Sequence, residues 1–449
     1  MDAFWEFFSL RDPNIRYVLG GTVLLGIASG LIGTFTVLRR RALVGDAVAH
    51  AILPGVCLGF ILAGGKDPLL LVAGAFVFGL LSMITMDFIT RNSIISPDTS
   101  IAMVLSVFFG LGVVLLTMIQ SSSFTDQSGL DDFLFGQAAS MVGYDVKVFG
   151  GLSLFIILSV ILVYKEFKVI SFDLTYAKSI GYPVKRLELA MALLMVLIIT
   201  AGIQAVGVVL MASMLIIPAA AARYWTDSLS YLLLIAAVFG AISGAAGSFI
   251  SYTAPAMPTG PWMVVSAACV FFVSFFFAPG RGELSRMLES KKLSFRIRRE
   301  NVLKSLYSFE EKDGKAERVR TLSELMKTQR LSKLKMKSIL SYLKNKELIH
   351  VYPGPPSGFV LTENGRKEAK RLVRVHRLWE KYLNEYLQIP EDHVHDDAES
   401  MEHLITEDIE KELRASLGSP DKDPHQSQIP YDDPASKQPD RSSNRRNTK

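Results

Sequence analysis

The stretch LRRRALVGDAVAHAILPGV, residues 38–56, decides the fold. Arg39, Arg40 and Arg41 end one apolar run and open another, and that second run carries Asp46 and His50 in its first half. Lys and Arg in short connections between membrane spans stay on the cytoplasmic side. Ionisable groups inside a span are costly and face a bundle interior or a pathway rather than lipid. The stretch therefore reads as a cytoplasmic turn leading into a transmembrane helix with one polar face. Asp46 and His50 share that face at i and i+4, and Pro54 and Gly55 follow one turn later. Carboxylate oxygen with imidazole nitrogen suits a divalent transition metal better than a sugar or a peptide. The competing reading puts Asp46 at the interface, paired with Arg41.

Outward from this stretch, the composition divides the chain. Its 449 residues are 50% hydrophobic and 20% charged, with formal net charge +5. Residues 1–280 hold only 14 Lys+Arg and 15 Asp+Glu, whereas the remaining 169 residues hold 34 and 28, which excludes one soluble globule. Runs near the length that hydrocarbon requires predict spans at Tyr17–Leu38, Leu43–Ala63, Leu69–Ile89, Ser100–Ile119, Tyr144–Tyr164, Leu187–Gln204, Ala205–Ala222, Leu229–Ile250 and Gly260–Ala278. The seventh is short and rich in small residues, so eight spans plus a re-entrant piece is an open alternative. Nine spans place Arg39 to Arg41, Arg91, the basic groups from Lys165 to Arg186, Arg223, Arg281 and Arg286 inside, with the N-terminus outside and the C-terminal region in the cytoplasm. Met1–Arg16 could instead fold back as an interfacial helix. Cys57 and Cys269 both lie in apolar runs, which leaves no disulfide framework and no thiolate metal cluster. Gly26, Gly30 and Gly33, and Gly240, Gly244 and Gly247, predict close helix packing through small surfaces. Pro218 and the group Pro255, Pro258 and Pro261 break the apolar pattern, which lipid tolerates only where protein or a cavity covers the freed carbonyls.

FDLTYAKSIGYPV, residues 172–184, lies in the longest basic cytoplasmic connection. Asp173 is placed to cap a short helix through Ala177 that Gly181 and Pro183 then stop, giving a docking element for a soluble partner. No GxxxxGK[ST] occurs in the chain, so energy from nucleotide hydrolysis has to come from another subunit.

With AVGVVLMASMLIIPAAAA (205–222) and PTGPWMVV (258–265), these stretches resemble the permease subunit of bacterial ATP-binding-cassette importers for manganese, zinc or iron, over residues 17–280. The resemblance implies a homodimeric or paired permease in the bacterial inner membrane. It further implies a cytoplasmic ATPase docking at Asp173, Ala177 and Gly181, an extracytoplasmic protein that delivers the metal, and Asp46 and His50 as the pair at the membrane gate. Ala49 stands where this family usually has Ser, a small change before the histidine.

Beyond residue 280 the pattern changes. Helical periodicity covers Arg298–Glu311, Leu322–Lys327 and Lys333–Lys346, the last with Leu334, Ile339, Leu340 and Leu343 on its apolar side. Residues 348–361 read as a hairpin with a Pro- and Gly-rich tip. Helix, turn, basic helix and hairpin outline a winged-helix domain. Lys333, Lys335 and Lys337 are then candidates for DNA phosphate contacts, or for a solvated face on the anionic inner leaflet. A helix follows at Glu363–Leu387 and another at Asp397–Leu413. Six of the seven histidines lie after residue 349. His376 and Glu380 share a face, and His395, Glu399, Glu402 and His403 recur at helical spacing, a set suited to manganese, iron or zinc.

LTENGRKEAKRLVRVHRLWEKYLNEYLQIPEDHVHDDAESMEHLI (361–405) with GSPDKDPHQSQIP (418–430) resembles the metal-dependent repressors of the diphtheria-toxin-repressor family, over residues 298–430. The resemblance assigns His376, Glu380 and His395 to an ancillary metal site and Glu399, Glu402 and His403 to a primary one. Family members complete the primary site from the first helix, where Asn301 and Lys304 stand here. Asn offers one weak neutral oxygen and protonated Lys offers no ligand electrons, which departs from metal-switched repression.

The expected architecture is a polytopic all-α membrane domain of 8–9 spans (1–280), a linker (281–297), a winged-helix α+β domain (298–362), an all-α metal-binding and dimerisation domain (363–430) and a disordered tail (431–449). The expected function is a divalent-metal importer subunit with a cytoplasmic metal-sensing domain. The alternative is a membrane-tethered repressor, or one released by proteolysis near Glu283–Ser294.

Overall fold

The computed structural model describes residues 2–431 apart from Lys66, 122–142, 254–256, 315–318, Arg330, 355–356, 391–398 and Ser400. Pro255, His395 and the tail from Asp432 onward thus lie outside the described residues. The chain divides into two units, Met1–Arg286 and Met287–Lys449.

In the first unit, α1 (Asp2–Phe8) precedes α2 (Pro13–Leu38), α3 (Ala42–Ala51), α4 (Leu53–Ala63), α5 (Pro68–Asn92) and α6 (Pro97–Ser121). Then come α7 (Gly143–Leu162), α8 (Tyr164–Phe172), α9 (Leu174–Ser179), α10 (Val184–Val206), α11 (Val208–Ala222), α12 (Leu229–Thr253) and α13 (Thr259–Phe277). Among the described residues, seven helical stretches are long and apolar enough to cross a membrane, α3 and α4 together forming one of them, and the pair of α7 and α8, bent by 70°, makes an eighth. Asp12 starts α2 by accepting a hydrogen bond from the Asn14 amide, and Asp67 starts α5 in the same way from Leu69 and Leu70. The first helix packs against α12. Phe7 is buried and its ring meets Phe249 and Tyr252 at centroid distances of 5.4 and 5.3 Å.

The seventh predicted run becomes the short helix α11. Gly207 separates it from α10 with φ +94°, a conformation that a side chain disfavours. A helix of 15 residues rises only about 22 Å, short of a hydrocarbon core of about 30 Å. It need not cross lipid alone, because α11 packs among α2, α3, α12 and α13, and Met211, Met214, Leu215, Ala221 and Ala222 are fully buried. Helices α2 and α12 meet through small residues. A Cβ on Gly26 would overlap the Gly240 carbonyl, and one on Gly240 would overlap the Gly26 carbonyl. Beside them Thr22 and Ser248 hydrogen-bond across the interface at 2.8 Å, buried from lipid.

The second unit begins within α14 (Glu283–Asp313) and continues through β1 (Arg320–Thr321), α15 (Leu322–Gln329), α16 (Lys333–Asn345), β2 (Ile349–Tyr352), β3 (Gly358–Leu361) and α17 (Glu363–Leu387). A 3-10 turn at Glu402–Leu404 and α18 (Glu407–Ser416) complete it. The sheet is antiparallel in the order β1-β3-β2, with Ile349 opposite Leu361. Val302, Leu303 and Leu306 of α14 join Leu325, Met336, Ile339, Leu340, Leu343, Ile349 and Leu361 in one core. Helices packed on a three-stranded antiparallel sheet are the winged-helix arrangement.

Three details differ from the sequence reading. Residues 281–297, expected as a connection, are helical from Glu283 onward. Cleavage favours exposed loops, so the segment Glu283–Ser294 lacks that feature. Leu334 is 82% exposed, and Met336 takes the core position that the 3–4 spacing to Ile339, Leu340 and Leu343 demands. The helix expected across Asp397–Leu413 is broken, because Ile405 is extended and Thr406 caps a new helix by accepting from the Ile409 amide. By contrast, α17 has the expected bounds. Thr362 caps it through the Gly365 amide at 2.9 Å, and Gln388, in the left-handed region at φ +54°, ends it just before Pro390.

Candidate functional site

Helix α3 places the first candidate pair. Ala47, Val48, Ala49 and Ala51 are completely buried against neighbours that include α5, α6, α10 and α11. Asp46 and His50 are the half-open polar positions of that helix, their side chains 41% and 19% exposed. The His50 Nε2 stands 3.7 Å from Asp46 Oδ1, too far for a hydrogen bond and close enough for both to face one ion. His50 Nδ1 is buried with no hydrogen-bond partner among the described residues, and the ring rests against the edge of Phe109 at 5.2 Å. No ion pair joins Asp46 to Arg41 among the described residues, whereas Arg39 is taken by Glu188. A buried imidazole nitrogen left unpaired is costly, and a metal or a proton donor arriving from outside would satisfy it.

The loop after α8 builds the second candidate element. The Asp173 carboxylate accepts from the Tyr176 amide at 2.8 Å and starts α9. Ala177 is fully buried and fixes the helix to the body of the unit. Gly181, at φ +86°, lets the chain turn so that the Tyr182 amide donates back to the Ala177 carbonyl at 3.0 Å. Phe172, Leu174, Tyr176 and Ile180 remain exposed around it, an apolar surface on a basic connection.

In the second unit, α14 faces the 399–403 segment through three successive contacts. Glu300 Oε2 accepts from His403 Nδ1 at 2.6 Å, Asn301 Nδ2 lies 3.5 Å from Glu399 Oε1, and Lys304 Nζ donates to the Glu402 oxygens at 2.8 and 3.1 Å. The same ammonium is 3.1 Å from His376 Nδ1. His376 also meets Glu402 through Nδ1, and its Nε2 stands 3.0 Å from Glu380 Oε1. Glu300, His376, Glu380, Glu402 and His403 are all buried, while Glu399 is exposed. Burial disfavours the charged form of His376, but hydrogen bonds to Glu380 and Glu402 outweigh it and raise the pKa, with Lys304 opposing. Burial also pushes against ionised Glu402, yet His376 and Lys304 hold its pKa below the ordinary value. Glu300 is likewise lowered, its desolvation overcome by His403 and Arg296.

The structure thus brings His376, Glu380 and Glu402 together, sets His403 against Glu300, and leaves Glu399 at the edge. The helical spacing expected to align Glu399, Glu402 and His403 gives way to the 3-10 turn. Among the described residues no group of three or more His, Cys, Asp or Glu side chains is arranged to hold a metal ion. A divalent ion does not fit between His376 and Glu402 as they stand, because an ammonium is already in contact with both. Lys304 stands at a first-helix position where the resemblance expects a primary-site ligand, and it enters the cluster as a cation instead. The partner that the histidine and carboxylate pattern missed is Glu300, four residues before it.

Lys333, Lys335 and Lys337 are exposed at the start of α16, opposite its buried Met336 and Leu340. The arginines of α17 are engaged within the unit. Arg366 pairs with Glu310, Arg371 and Arg374 with Glu410, and Arg377 with Glu311.

Residues 11–278 match the ABC 3 transport family, and residues 362–431 match the iron-dependent repressor, metal binding and dimerisation domain. The manganese transport system membrane protein MntC of Bacillus subtilis (strain 168) is 40% identical over 388 residues, 86% of this chain and 88% of that protein. That alignment is longer than the first unit. The zinc transport system membrane protein TroC of Treponema pallidum (strain Nichols) is 39% identical over 294 residues, 66% of this chain and 98% of that protein. Among solved structures, PsaBC from Streptococcus pneumoniae in complex with Fab superposes with a TM-score of 0.56 at 34% identity, over 64% of this chain and 99% of that one.

Proposed function

The chain belongs to the ABC 3 transport family, and from that membership we propose that it is the membrane-spanning subunit of an ATP-driven importer for manganese, iron or zinc. It sits in the plasma membrane with its C-terminal unit on the cytoplasmic side, and a separate ATPase subunit does the hydrolysis. The observation that carries the cargo is the Asp46 and His50 pair, a carboxylate oxygen and an imidazole Nε2 3.7 Å apart on one helix face inside a span. The manganese and zinc in the relatives' names agree with such oxygen and nitrogen donors. Two donors do not fill the coordination sphere of a divalent ion, and their half-open face suits a second permease subunit that contributes the rest. An extracytoplasmic metal-binding protein delivers the ion. Proteoliposomes holding the permease with its ATPase and binding protein should take up manganese, iron or zinc only with ATP. Equal uptake without ATP, or none with any of the three metals, rejects this reading.

Asp173, Ala177 and Gly181 shape α9 as the segment on which the ATPase docks. Asp173→Ala removes an N-cap worth about 0.5–2 kcal/mol to the helix. The expected result is slower ATP-driven uptake with unchanged metal binding, compared by initial rates and by equilibrium dialysis of the same preparation. A parallel loss of both would place Asp173 in the metal path instead.

The C-terminal unit is a regulatory module of the repressor type fused to the transporter. DNA binding remains the second reading, resting on the exposed Lys333, Lys335 and Lys337. Phosphate contacts through three lysines would weaken steeply with salt. Mobility shift of duplex DNA by the full chain in detergent, lost in the triple alanine variant, is its test.

A further inference from the structure

We infer that Lys304 supplies, from within the chain, the cation that the cluster of His376, Glu380 and Glu402 would otherwise take from solution, so that α14, α17 and the 402–404 turn are held together whatever the divalent-metal level. The inference stands on the second unit alone and does not depend on what the first unit carries.

The geometry is that of a built site. The Glu402 side chain is completely buried and that of Lys304 is 18% exposed, with the ammonium 2.8 and 3.1 Å from the two carboxylate oxygens and 3.1 Å from His376 Nδ1. Charge-assisted hydrogen bonds of this kind are the strong ones, and removing one partner leaves a buried charge uncompensated. A divalent ion placed among the same atoms would meet the ammonium at contact distance and would compete with its N–H groups for the same lone pairs. Lysine and metal are therefore alternatives at this position.

The placement follows from the helix. Glu300, Asn301 and Lys304 recur at i, i+1 and i+4, so one side of α14 presents all three toward residues 399–403. Val302, Leu303 and Leu306 meanwhile enter the winged-helix core. Helix α14 thus belongs to both parts of the unit, and the Lys304 cluster is the polar joint between them. A joint closed by a covalently attached cation does not open when metal is scarce. The signal that reaches this unit, whatever it is, does not begin with a metal filling this cluster.

Hydrogen exchange on the full-length chain in detergent micelles tests this, read in peptides covering 299–306, 372–380 and 401–405, with EDTA or with added Mn²⁺. The wild-type chain is expected to show the same protection in both. Lys304→Met keeps the apolar stem and removes the charge. Its exchange in EDTA should rise by about tenfold or more in these peptides, as a local opening cheaper by one decade would give. Added Mn²⁺ should return it toward wild type, because a divalent ion then takes the place of the ammonium that His376 and Glu402 both meet. Peptides from 22–34 and 236–247 report whether the membrane unit stays folded. Wild-type protection that rises with Mn²⁺ and falls in EDTA overturns the inference without any variant. So does a Lys304→Met chain that matches wild type in EDTA, or one that Mn²⁺ fails to restore.

Discussion

Alanine at Asp46 or at His50 is expected to reduce ATP-driven metal uptake to the background of empty proteoliposomes, with the permease still assembled with its ATPase. Both side chains project from a helix whose other faces are packed solid, with Ala47, Val48, Ala49 and Ala51 showing no exposure. Truncation of either therefore removes a donor without opening the core. Outer-shell partners of metal ligands carry about 10–100-fold in affinity, and loss of a direct donor should exceed that. Asp46→Asn keeps the size and loses the charge, and should fall almost as far, since a neutral amide oxygen is a weak ligand. The measurement is the initial rate of radiolabelled metal uptake, with ATPase activity of the complex as the assembly control. Rates within twofold of wild type in both alanine variants would remove the pair from the path.

The second large effect is structural. Gly240→Ala should prevent α2 and α12 from closing, because the new Cβ would fall on the Gly26 carbonyl, and backbone cannot swing aside as a side chain can. Overpacking costs about 1–3 kcal/mol even where side chains can adjust. Here the adjustment has to separate two long helices and break the Thr22 to Ser248 hydrogen bond beside them. Gly20→Ala on the same α2 is the control, since a Cβ there meets nothing within 4 Å. The expected outcome is a lower unfolding midpoint and an aggregated fraction in detergent for Gly240→Ala, and neither for Gly20→Ala. Because Gly26 and Gly240 share one contact, Gly26→Ala should add little to Gly240→Ala in the double variant. Identical melting of Gly240→Ala and wild type would mean that these helices do not meet at this point.

Much of the two-unit architecture was legible, for different reasons in each unit. Span length and arginine placement are one-dimensional properties, so the runs from Pro13 to Phe277 show in the order of residues alone. The GxxxG spacing of Gly26 with Gly30 and of Gly240 with Gly244 announced close packing, but not that each set would pack on the other. Helix α17 was readable to the residue because Thr362 and the residues before Pro390 carry its start and stop signals locally. The break at Ile405 was not, since a helical period continues through it and the capping by Thr406 competes only weakly in sequence. The short α11 looked like a doubtful span because nothing in its own residues says which helices will surround it.

By itself the sequence determined that the chain has a membrane part and a charged part, that Asp46 and His50 lie on one face of a span, and that a dense histidine and carboxylate pattern marks the second unit. These follow from hydropathy and from helical periodicity, which depend on neighbours along the chain. Only the tertiary structure decided that Asp46 is not taken by Arg41, and that an ammonium from α14 reaches an imidazole 72 residues away and a carboxylate 98 residues away. A charge's partner is set by distance through space, where the electrostatic energy of a buried pair is decided within a few ångströms. Spacing along a chain carries no information on that scale once it exceeds a helical turn or two.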